Sequence, residues 1–301
     1  MPDSVVVLAP PYANPILAAL IAHQHQILLV ATFGGMLLLL MLESIWPRRG
    51  DGRSPVSRWL NNWLLASLNF LLVLWIVQAA AGSIWLQPAR ELIGPLDALP
   101  AILILPLAVL AVDLGAYWLH RLFHASPFLW RFHAVHHTDT EVDATTSHRH
   151  HTLESLTTSL LFVPVFVILD LSASMAVVVG LMRLTIILVS HSNLYLPRKV
   201  DRVLRLLIVT PDFHRLHHSS DPRYTNSNYG AVVPWFDYLF GSARSVPFDA
   251  HQHMTLGLKD FREPADTRLD RLLLMPLTWK RRRRRQLGYR STDEGADPKP
   301  S

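Results

Sequence analysis

The 301-residue chain contains no cysteine and few charged residues. Without thiolates, the sequence excludes cysteine-bound zinc, cysteine-held iron–sulfur clusters and disulfide bonds. Only 17% of the residues are charged, whereas half are hydrophobic, and the mean hydropathy is +0.23. A soluble protein of this length would carry more charge. The composition therefore indicates a membrane protein.

The apolar residues occur in long blocks, and a block of about twenty can cross a bilayer as a helix. The first fifteen residues carry no Lys or Arg, so we expect the first block to be a retained span rather than a signal peptide. Five spans are predicted: about Ile16 to Leu42, Trp59 to Leu86, Ala101 to Phe123, Leu153 to Leu171 and Ser174 to Leu194.

Basic residues in short loops predict the orientation of the spans. The first loop is predicted to be cytoplasmic because it contains Arg48, Arg49, Arg53 and Arg58. The tail is predicted to be cytoplasmic because of the run Lys280–Arg285. An anionic membrane surface attracts that run as well as nucleic acid would, so we expect no nucleic-acid partner. The prediction is an integral, multi-pass protein of a bacterial inner membrane or an endoplasmic-reticulum-like membrane.

The chain is divided into three predicted regions. Residues 1–100 form an N-terminal transmembrane region with two spans, and residues 101–250 form the catalytic domain. Residues 251–301 form a cytoplasmic basic tail that we expect to be disordered from about Gln286. The expected fold is all-α, with a cytoplasmic helical cap that carries a histidine-rich site for two metal ions.

Histidine is abundant, with sixteen residues, and most of them recur at helical spacing. On a helix, positions i, i+3 and i+4 project side by side, so each motif presents convergent nitrogens. His191, at the end of the fifth span, would add a ninth ligand to the eight in the motifs. The motifs are His120-x-x-x-His124, His133-x-x-His136-His137 and His214-x-x-His217-His218.

The ligand type alone does not select the metal, because neutral imidazole suits zinc, iron, copper and nickel. A mononuclear zinc hydrolase needs three protein ligands, and nine are too many for it. Two metal ions with four or five imidazoles each fit better. The HExxH motif of zinc peptidases and the Glu-x-x-His pair of soluble di-iron bundles are both absent.

The order and surroundings of these motifs resemble the fatty acid hydroxylase/sterol desaturase superfamily of membrane di-iron enzymes. The resemblance covers about Ala101 to Ala243. It depends on Asp113, Tyr117–Arg121, Leu129–His133, Thr210–His218, Asn228–Gly230 and Asp237–Gly241. Phe236 separates Trp235 from Asp237, whereas relatives often have Trp and Asp adjacent.

The resemblance implies an O2-dependent enzyme that hydroxylates or desaturates an unactivated carbon of a lipid, such as a fatty acyl chain or sterol. It implies that the nine histidines bind two iron ions. No electron-donor domain is recognisable, so we expect a separate ferredoxin- or cytochrome-type protein to supply electrons. His150 to Glu154 stands where many relatives carry His-Pro-x-Glu, and that alignment makes His151 a tenth candidate ligand.

Two residues of the third span are predicted to assist the chemistry as catalytic residues. Asp113 and Tyr117 share one helical stripe with His120 and His124, and a carboxylate inside a span is a functional-site hypothesis by default. Glu154, Asp143, Asn228 and Asp237 are weaker candidates, and Arg183 could pair with a carboxylate or a lipid head group. His148 and His150 stay undecided, and His23, His25, His251 and His253 are placed outside the site.

A different class of function is also compatible with the histidines. The alternative is a histidine-rich metal-binding membrane protein, either a zinc scaffold or a metal transporter, without oxygenase activity. A transporter would place its polar ligands midway through the spans. Here the motifs follow the span ends, which argues against transport.

Overall fold

The computed structural model describes residues 19–20, 22–50, 56–81, 100–168 and 173–279, and these residues form helices and loops without a strand. The expectation of an all-α fold is therefore confirmed. The Lys280–Arg285 run, the polar end of the tail and the outer end of the second predicted span lie outside the described residues.

Among the described residues, four helices are long and apolar enough to cross a membrane. They are α1 (Gln24–Ile45), α2 (Val56–Ala81), α3 (Ala101–Ala125) and α6 (Ala173–His191). They coincide with the first, second, third and fifth predicted spans. The fourth predicted span coincides with α5 (Thr152–Ile168), a 17-residue helix that is not among these four.

Short helices surround the ends of the spans. They are α4 (Trp130–His137), α7 (Arg198–Leu204), α8 (Pro211–His217), α9 (Pro222–Thr225), α10 (Trp235–Leu239), α11 (Ala250–His253) and α12 (residues 269–279). A 3₁₀ turn, Ala144–His148, follows α4.

Proline sets the boundaries of the helices that carry histidine. Ser126 precedes Pro127 and has extended backbone angles (φ −89°, ψ 116°), which ends α3 just after His124. A residue before proline avoids the helical region, so this ending is encoded locally. Thr210 is extended in the same way before Pro211, which occupies the first turn of α8. The first and the last histidine motifs thus lie at fixed distances from a helix end.

Three apolar clusters pack the spans against the cap. One joins Val109 and Val112 of α3 to Val179 of α6 and to Val232 and Val233. A second joins α1, α2 and α6 to the 3₁₀ turn through, among others, Met36, Ala66, Ala144 and Leu188. Because the segment before α10 and the turn after α4 are tied to the spans in this way, the histidines are held on a rigid base.

Part of the tail region packs against α2 and α4. Leu272 and Met275 of α12, three residues apart on one face, are buried against Leu65 of α2 and Val135 of α4. The bounds of the three regions stay a prediction, and the disorder expected from about Gln286 falls outside the described residues.

Buried ionic and polar contacts fix the loop between α4 and α5. Arg58 pairs with Asp139 at 2.9 Å and with Asp143. Arg149 is fully buried and donates to the Val135 carbonyl, Asn62 Oδ1 and Thr138 Oγ1 at 2.8–3.0 Å. Burial favours protonation of Asp139, but the charges of Arg58 and Arg149, together with hydrogen bonds from Thr146 and Asn62, outweigh it and lower the pKa of that carboxyl.

Replacing Arg58 with methionine should destabilise the protein strongly. The change leaves Asp139 and Asp143 buried without their cation, and breaking such a pair costs about 3–5 kcal/mol. Thermal unfolding of the detergent-solubilised protein, followed by tryptophan fluorescence, measures the effect. Arg223→Met is the matched control, because that arginine pairs with Asp221 on the exposed surface and should leave the melting temperature unchanged. Equal melting temperatures for the two variants would contradict the expectation.

Candidate metal centre

The structure brings the eight motif histidines and His191 together in two adjacent groups. Within each group, one nitrogen per imidazole lies within 4.8 Å of the others. The first group has five members: His120, His124, His133, His137 and His217. The second has four: His136, His191, His214 and His218.

Neighbouring histidines of each HxxHH motif enter different groups. His136 and His137 of α4 separate in this way, and so do His217 and His218 at the end of α8. Successive residues on a helix point about 100° apart, so one short helix can face both groups. The two helices lie beside each other, with the His137 and His218 rings 4.8 Å apart. This arrangement explains why two motifs with one spacing serve two groups.

Backbone carbonyls fix the orientation of three imidazoles. The Nδ1–H groups of His120, His191 and His217 point at the carbonyls of Tyr229, Ile187 and Ser227, at 2.7–2.8 Å. This bond places the proton on Nδ1 and leaves the lone pair of Nε2 facing inward. Ligand imidazoles in metalloproteins are oriented by the same device.

Glu154 orients a fourth imidazole. Its Oε1 accepts from His133 Nδ1 at 2.7 Å and from His150 Nδ1 at 3.0 Å, and the carboxylate is buried. His133 Nε2 therefore carries a lone pair as well. Sequence analysis identified Glu154 only as a weak candidate. The i, i+4 spacing of His150 and Glu154 at the start of a helix was the signal that could have made it a stronger one.

Inward nitrogens of different chain segments lie close together, and in one contact both carry a lone pair. His133 Nε2 is 3.1 Å from His120 Nε2, and His191 Nε2 is 3.2 Å from His136 Nε2 and 3.0 Å from His214 Nε2. With protons on the Nδ1 atoms of His120, His133 and His191, the first contact sets two lone pairs against each other. Nitrogens bound to one cation at about 2.0–2.1 Å would be roughly 3 Å apart, so the donor set fits a metal ion in each group.

Burial keeps these imidazoles neutral, which is the form that binds metal. Desolvation is the largest cause that lowers the pKa of the cap histidines well below 6.5, and neighbouring imidazoles add to it. This holds for His136, His137, His214, His217 and His218. Buried nitrogens without a hydrogen-bond partner include His124 Nε2, His217 Nε2 and both of His218. Such orphaned atoms are the ones that a cation would satisfy.

The loop from Asn226 to Gly230 supplies the carbonyls that orient His120 and His217. Asn226 Oδ1 also lies 3.1 Å from His124 Nδ1, a contact that sequence reasoning missed because no motif contains this residue. Asn228 has a φ of +53°, and its side chain bonds Phe213 O, Arg244 O and Arg244 N. Asparagine tolerates this left-handed conformation better than most residues.

The two predicted catalytic residues lie beside the same loop rather than beside the imidazoles. Both oxygens of Asp113 accept backbone N–H groups, from Val232 and Val233 at 2.9 Å, and Arg183 lies 3.4 Å away. Tyr117 is buried, and its hydroxyl bonds Ser242 Oγ at 2.7 Å. Both hold the loop that orients the histidines. In this geometry both act on the loop, and their catalytic role stays a prediction.

Asp237 completes the support of the loop. Its carboxylate accepts from the backbone N–H groups of Tyr229 and Gly230 at 2.8 Å and from Ser242 Oγ at 2.7 Å. A side chain at Gly230 would bring its Cβ within 2.6 Å of the Val233 carbonyl. Asp237, from the last motif of the resemblance, thus holds the backbone of the loop. Asp143 has a different role, because it caps the 3₁₀ turn Ala144–His148.

His151 is not brought into either group. Its Nε2 bonds the Leu273 carbonyl at 3.0 Å and its Nδ1 accepts from the Leu153 N–H at 3.1 Å, so both ring nitrogens are engaged. His150 instead stacks on His136, with the ring centroids 4.4 Å apart. His148 bonds Ser147 Oγ at 2.9 Å. The remaining histidines also lie outside both groups: His23, His25, His251 and His253.

A cavity of about 520 Å³ connects the histidines to the spans. His120, His133, His136, His191 and His214, from both groups, line one end of it. Its walls are largely apolar and come from α2, α3, α5 and α6, with Val73, Val112, Ala116, Gly180 and Leu184 among the lining residues. The volume lies within the range typical of small-molecule sites. An apolar chain could therefore reach both histidine groups from between the spans.

Known proteins match the region that contains these residues. Residues 105–242 match the fatty acid hydroxylase family. An alkylglycerol monooxygenase of Danio rerio is 30% identical over 136 residues, which are 45% of this chain and 29% of that protein. The ornithine lipid hydroxylase OlsE of Rhizobium tropici is 30% identical over 142 residues, 47% of this chain and 42% of that protein.

A very-long-chain aldehyde decarbonylase of Oryza sativa subsp. japonica is 28% identical over 162 residues, 50% of this chain and 24% of that protein. The matches thus span less than half the length of these relatives. No solved structure matches the chain significantly. The resemblance predicted from the histidine motifs is confirmed, because residues 105–242 are similar to the fatty acid hydroxylase family.

Proposed function

We propose that the chain is a membrane oxygenase that uses two histidine-bound iron ions, O2 and external electrons to hydroxylate an unactivated C–H bond of a lipid. The observation that carries the proposal is the apolar cavity between the spans that ends at both histidine groups. Lipid profiling by mass spectrometry under ¹⁸O₂, with and without the gene, is the direct test. A labelled hydroxylated lipid that depends on the gene is expected.

The eight motif histidines and His191 would hold the metal pair, five on one ion and four on the other. When bound, the iron pair supplies the reductive activation of O2. The overall reaction converts R–H, O2, two electrons and two protons into R–OH and water. The chain's own contribution is to orient the imidazoles through carbonyls and Glu154, and to hold the alkyl chain in a cavity that excludes water.

The geometry favours this function over a metal transporter or a zinc scaffold. The histidines lie at the ends of α3 and α6 and in the short helices beyond them, whereas a conduction path needs ligands midway through the spans. Structural zinc sites are closed and four-coordinate. Here members of both groups line a cavity, which leaves open positions for O2 and substrate.

Hydroxylation is proposed ahead of desaturation because two of the relatives are named as a monooxygenase and a lipid hydroxylase. Desaturation would need the same O2 and electrons but would remove a second hydrogen and release two waters. Both of those relatives are named for polar lipids, an alkylglycerol and an ornithine lipid. A membrane lipid with an alkyl or acyl chain is therefore the proposed substrate class.

The site is proposed to face the cytoplasm. Arg48 and Arg49 follow α1 directly, and Arg48 pairs with Asp212 of α8 at 3.1 Å, so the basic loop lies at the histidine end of the spans. Basic residues flanking spans stay preferentially in the cytoplasm. Soluble electron donors are available on that side, and we propose a separate ferredoxin- or cytochrome-type donor.

His136→Ala and His217→Ala should each abolish oxidation and lower the metal content from two ions per chain towards one. The two histidines belong to different groups, so each variant should empty one site and spare the other. Metal analysis of the purified protein, together with turnover, measures both effects. His253→Ala is the control, because that residue is exposed and lies outside both groups. Full turnover in either test variant would refute the ligand assignment.

Glu154→Ala should weaken metal binding by about 10–100-fold, which is the usual effect of losing a partner that orients a ligand imidazole. The change leaves His133 in place but removes the acceptor of its Nδ1 proton. Competition with a chelator measures the affinity without reference to activity. Ser155→Ala, at the next residue along the same cavity wall, should leave the affinity unchanged. A similar loss in both variants would point to a general packing effect.

Gly180→Leu should shorten the lipids that the enzyme accepts. A Cβ at this position meets no atom within 4 Å, so a larger side chain would extend into the cavity without moving its neighbours. Each methylene that no longer fits should lower turnover by about 10–200-fold. The product profile by chain length measures the shift. Met182→Phe adds bulk to the same helix at an exposed position and should not change the profile.

A further inference from the structure

Two cap segments expose a dense set of large apolar side chains. Val200, Val203, Leu206 and Leu207 are exposed in α7 and the turn after it, with Val203 at 61%. Trp235, Tyr238, Leu239 and Phe240 are exposed in α10 and just after it, with Leu239 at 72%. We refer to residues 200–207 and 235–240 as the apolar platform. Contiguous exposed apolar surface marks a site of interaction.

The platform is continuous with the surface of a membrane-spanning helix. The indole N–H of Trp235 donates to the Leu206 carbonyl at 2.6 Å, which joins the two segments. The ring of Phe240 lies 5.0 Å from that of Trp118, a half-exposed residue of α3. Trp118 lies towards the histidine end of the candidate span Ile102–Ala125. Tryptophan is enriched where spans meet the membrane–water interface. The same surface therefore leads from the lipid-facing side of α3 onto the cap.

The charge around the platform matches an anionic lipid surface. Arg198, Lys199 and Arg202 are exposed in α7. The acidic residue of that helix, Asp201, is buried and paired with Arg205. Around the helix axis, Val200 and Val203 project opposite to Arg198 and Arg202. A helix with a basic side and an exposed apolar side is typical of segments that lie in the interface plane.

We propose that the apolar platform is inserted into the interface of the leaflet that contains the histidine end of the spans. Val203, Leu206 and Leu239 lie among the acyl chains, and Arg198, Lys199 and Arg202 contact anionic head groups. The first platform segment, residues 200–207, ends three residues before α8, which carries His214 and His217. Insertion of this segment therefore fixes the depth of the histidine groups in the leaflet that supplies lipid substrate to the cavity.

The absence of cysteine allows a direct measurement of this depth, because single cysteines can be labelled without background. Val203→Cys and Leu239→Cys place a nitroxide on the platform at side chains that are more than half exposed. Leu107→Cys, exposed on α3, is the control within the membrane. Arg223→Cys, exposed on α9, is the control in water. The labelled protein is reconstituted in vesicles of equal parts phosphatidylcholine and phosphatidylglycerol.

The accessibility of each label to apolar O2 and to a water-soluble nickel chelate is then compared by electron paramagnetic resonance. Labels at residues 203 and 239 should collide more often with O2 than with the chelate, as the label at residue 107 should. The label at residue 223 should collide more often with the chelate. Greater collision with the chelate would overturn the proposal, since the platform would then face water. Protection from both reagents would also overturn it, by indicating a second copy or a protein partner. The measurement needs neither substrate nor metal, so its failure would leave the oxygenase proposal standing.

Discussion

The arrangement of lone pairs at the histidine groups is the constraint on which the rest of the structure depends. Inward nitrogens of different chain segments lie 3.0–3.2 Å apart in a buried region. In the contact between His120 and His133 both nitrogens are unprotonated and repel each other, and burial removes the water that could separate them. A cation held between the lone pairs would replace this repulsion with ligation. The apolar walls of the cavity would strengthen that attraction by keeping water away.

Such a site requires that the protein, rather than the metal, fixes the tautomer of its imidazoles. Carbonyls of Ile187, Ser227 and Tyr229 and the carboxylate of Glu154 perform this task. Two of these carbonyls belong to one irregular loop, which explains the number of polar contacts that hold it. The left-handed Asn228, the Asp237 clamp and the Tyr117–Ser242 bond all act on this short stretch. Its irregular backbone is therefore as much a part of the metal-binding groups as the helices that carry the histidines.

Spacing and hydrophobicity predicted the features that depend on local sequence. The spans, the helical motifs and the convergence of nine histidines follow from period and composition, because neighbouring turns of a helix must share a face. Roles that depend on a second segment were beyond this reasoning. Asp113 shares a stripe with His120 but is seven residues away, roughly 10 Å along the helix. Glu154 reaches His133 from another helix, and no local pattern in the sequence places those two side chains together.

The position of Asp113 also shows why a span of this protein contains a carboxylate. Non-helical backbone at membrane depth must have its N–H groups satisfied, because no water is available there. The segment around Val232 and Val233 packs against α3, and Asp113 accepts both of its N–H groups. A lone carboxylate would be costly in an apolar bundle, and Arg183 of α6 offsets its charge. Asp113 thus ties α3, α6 and the loop into one unit. The loop also carries the Tyr229 carbonyl that orients His120. The intramembrane ion pair therefore supports the histidine groups through the backbone of this loop.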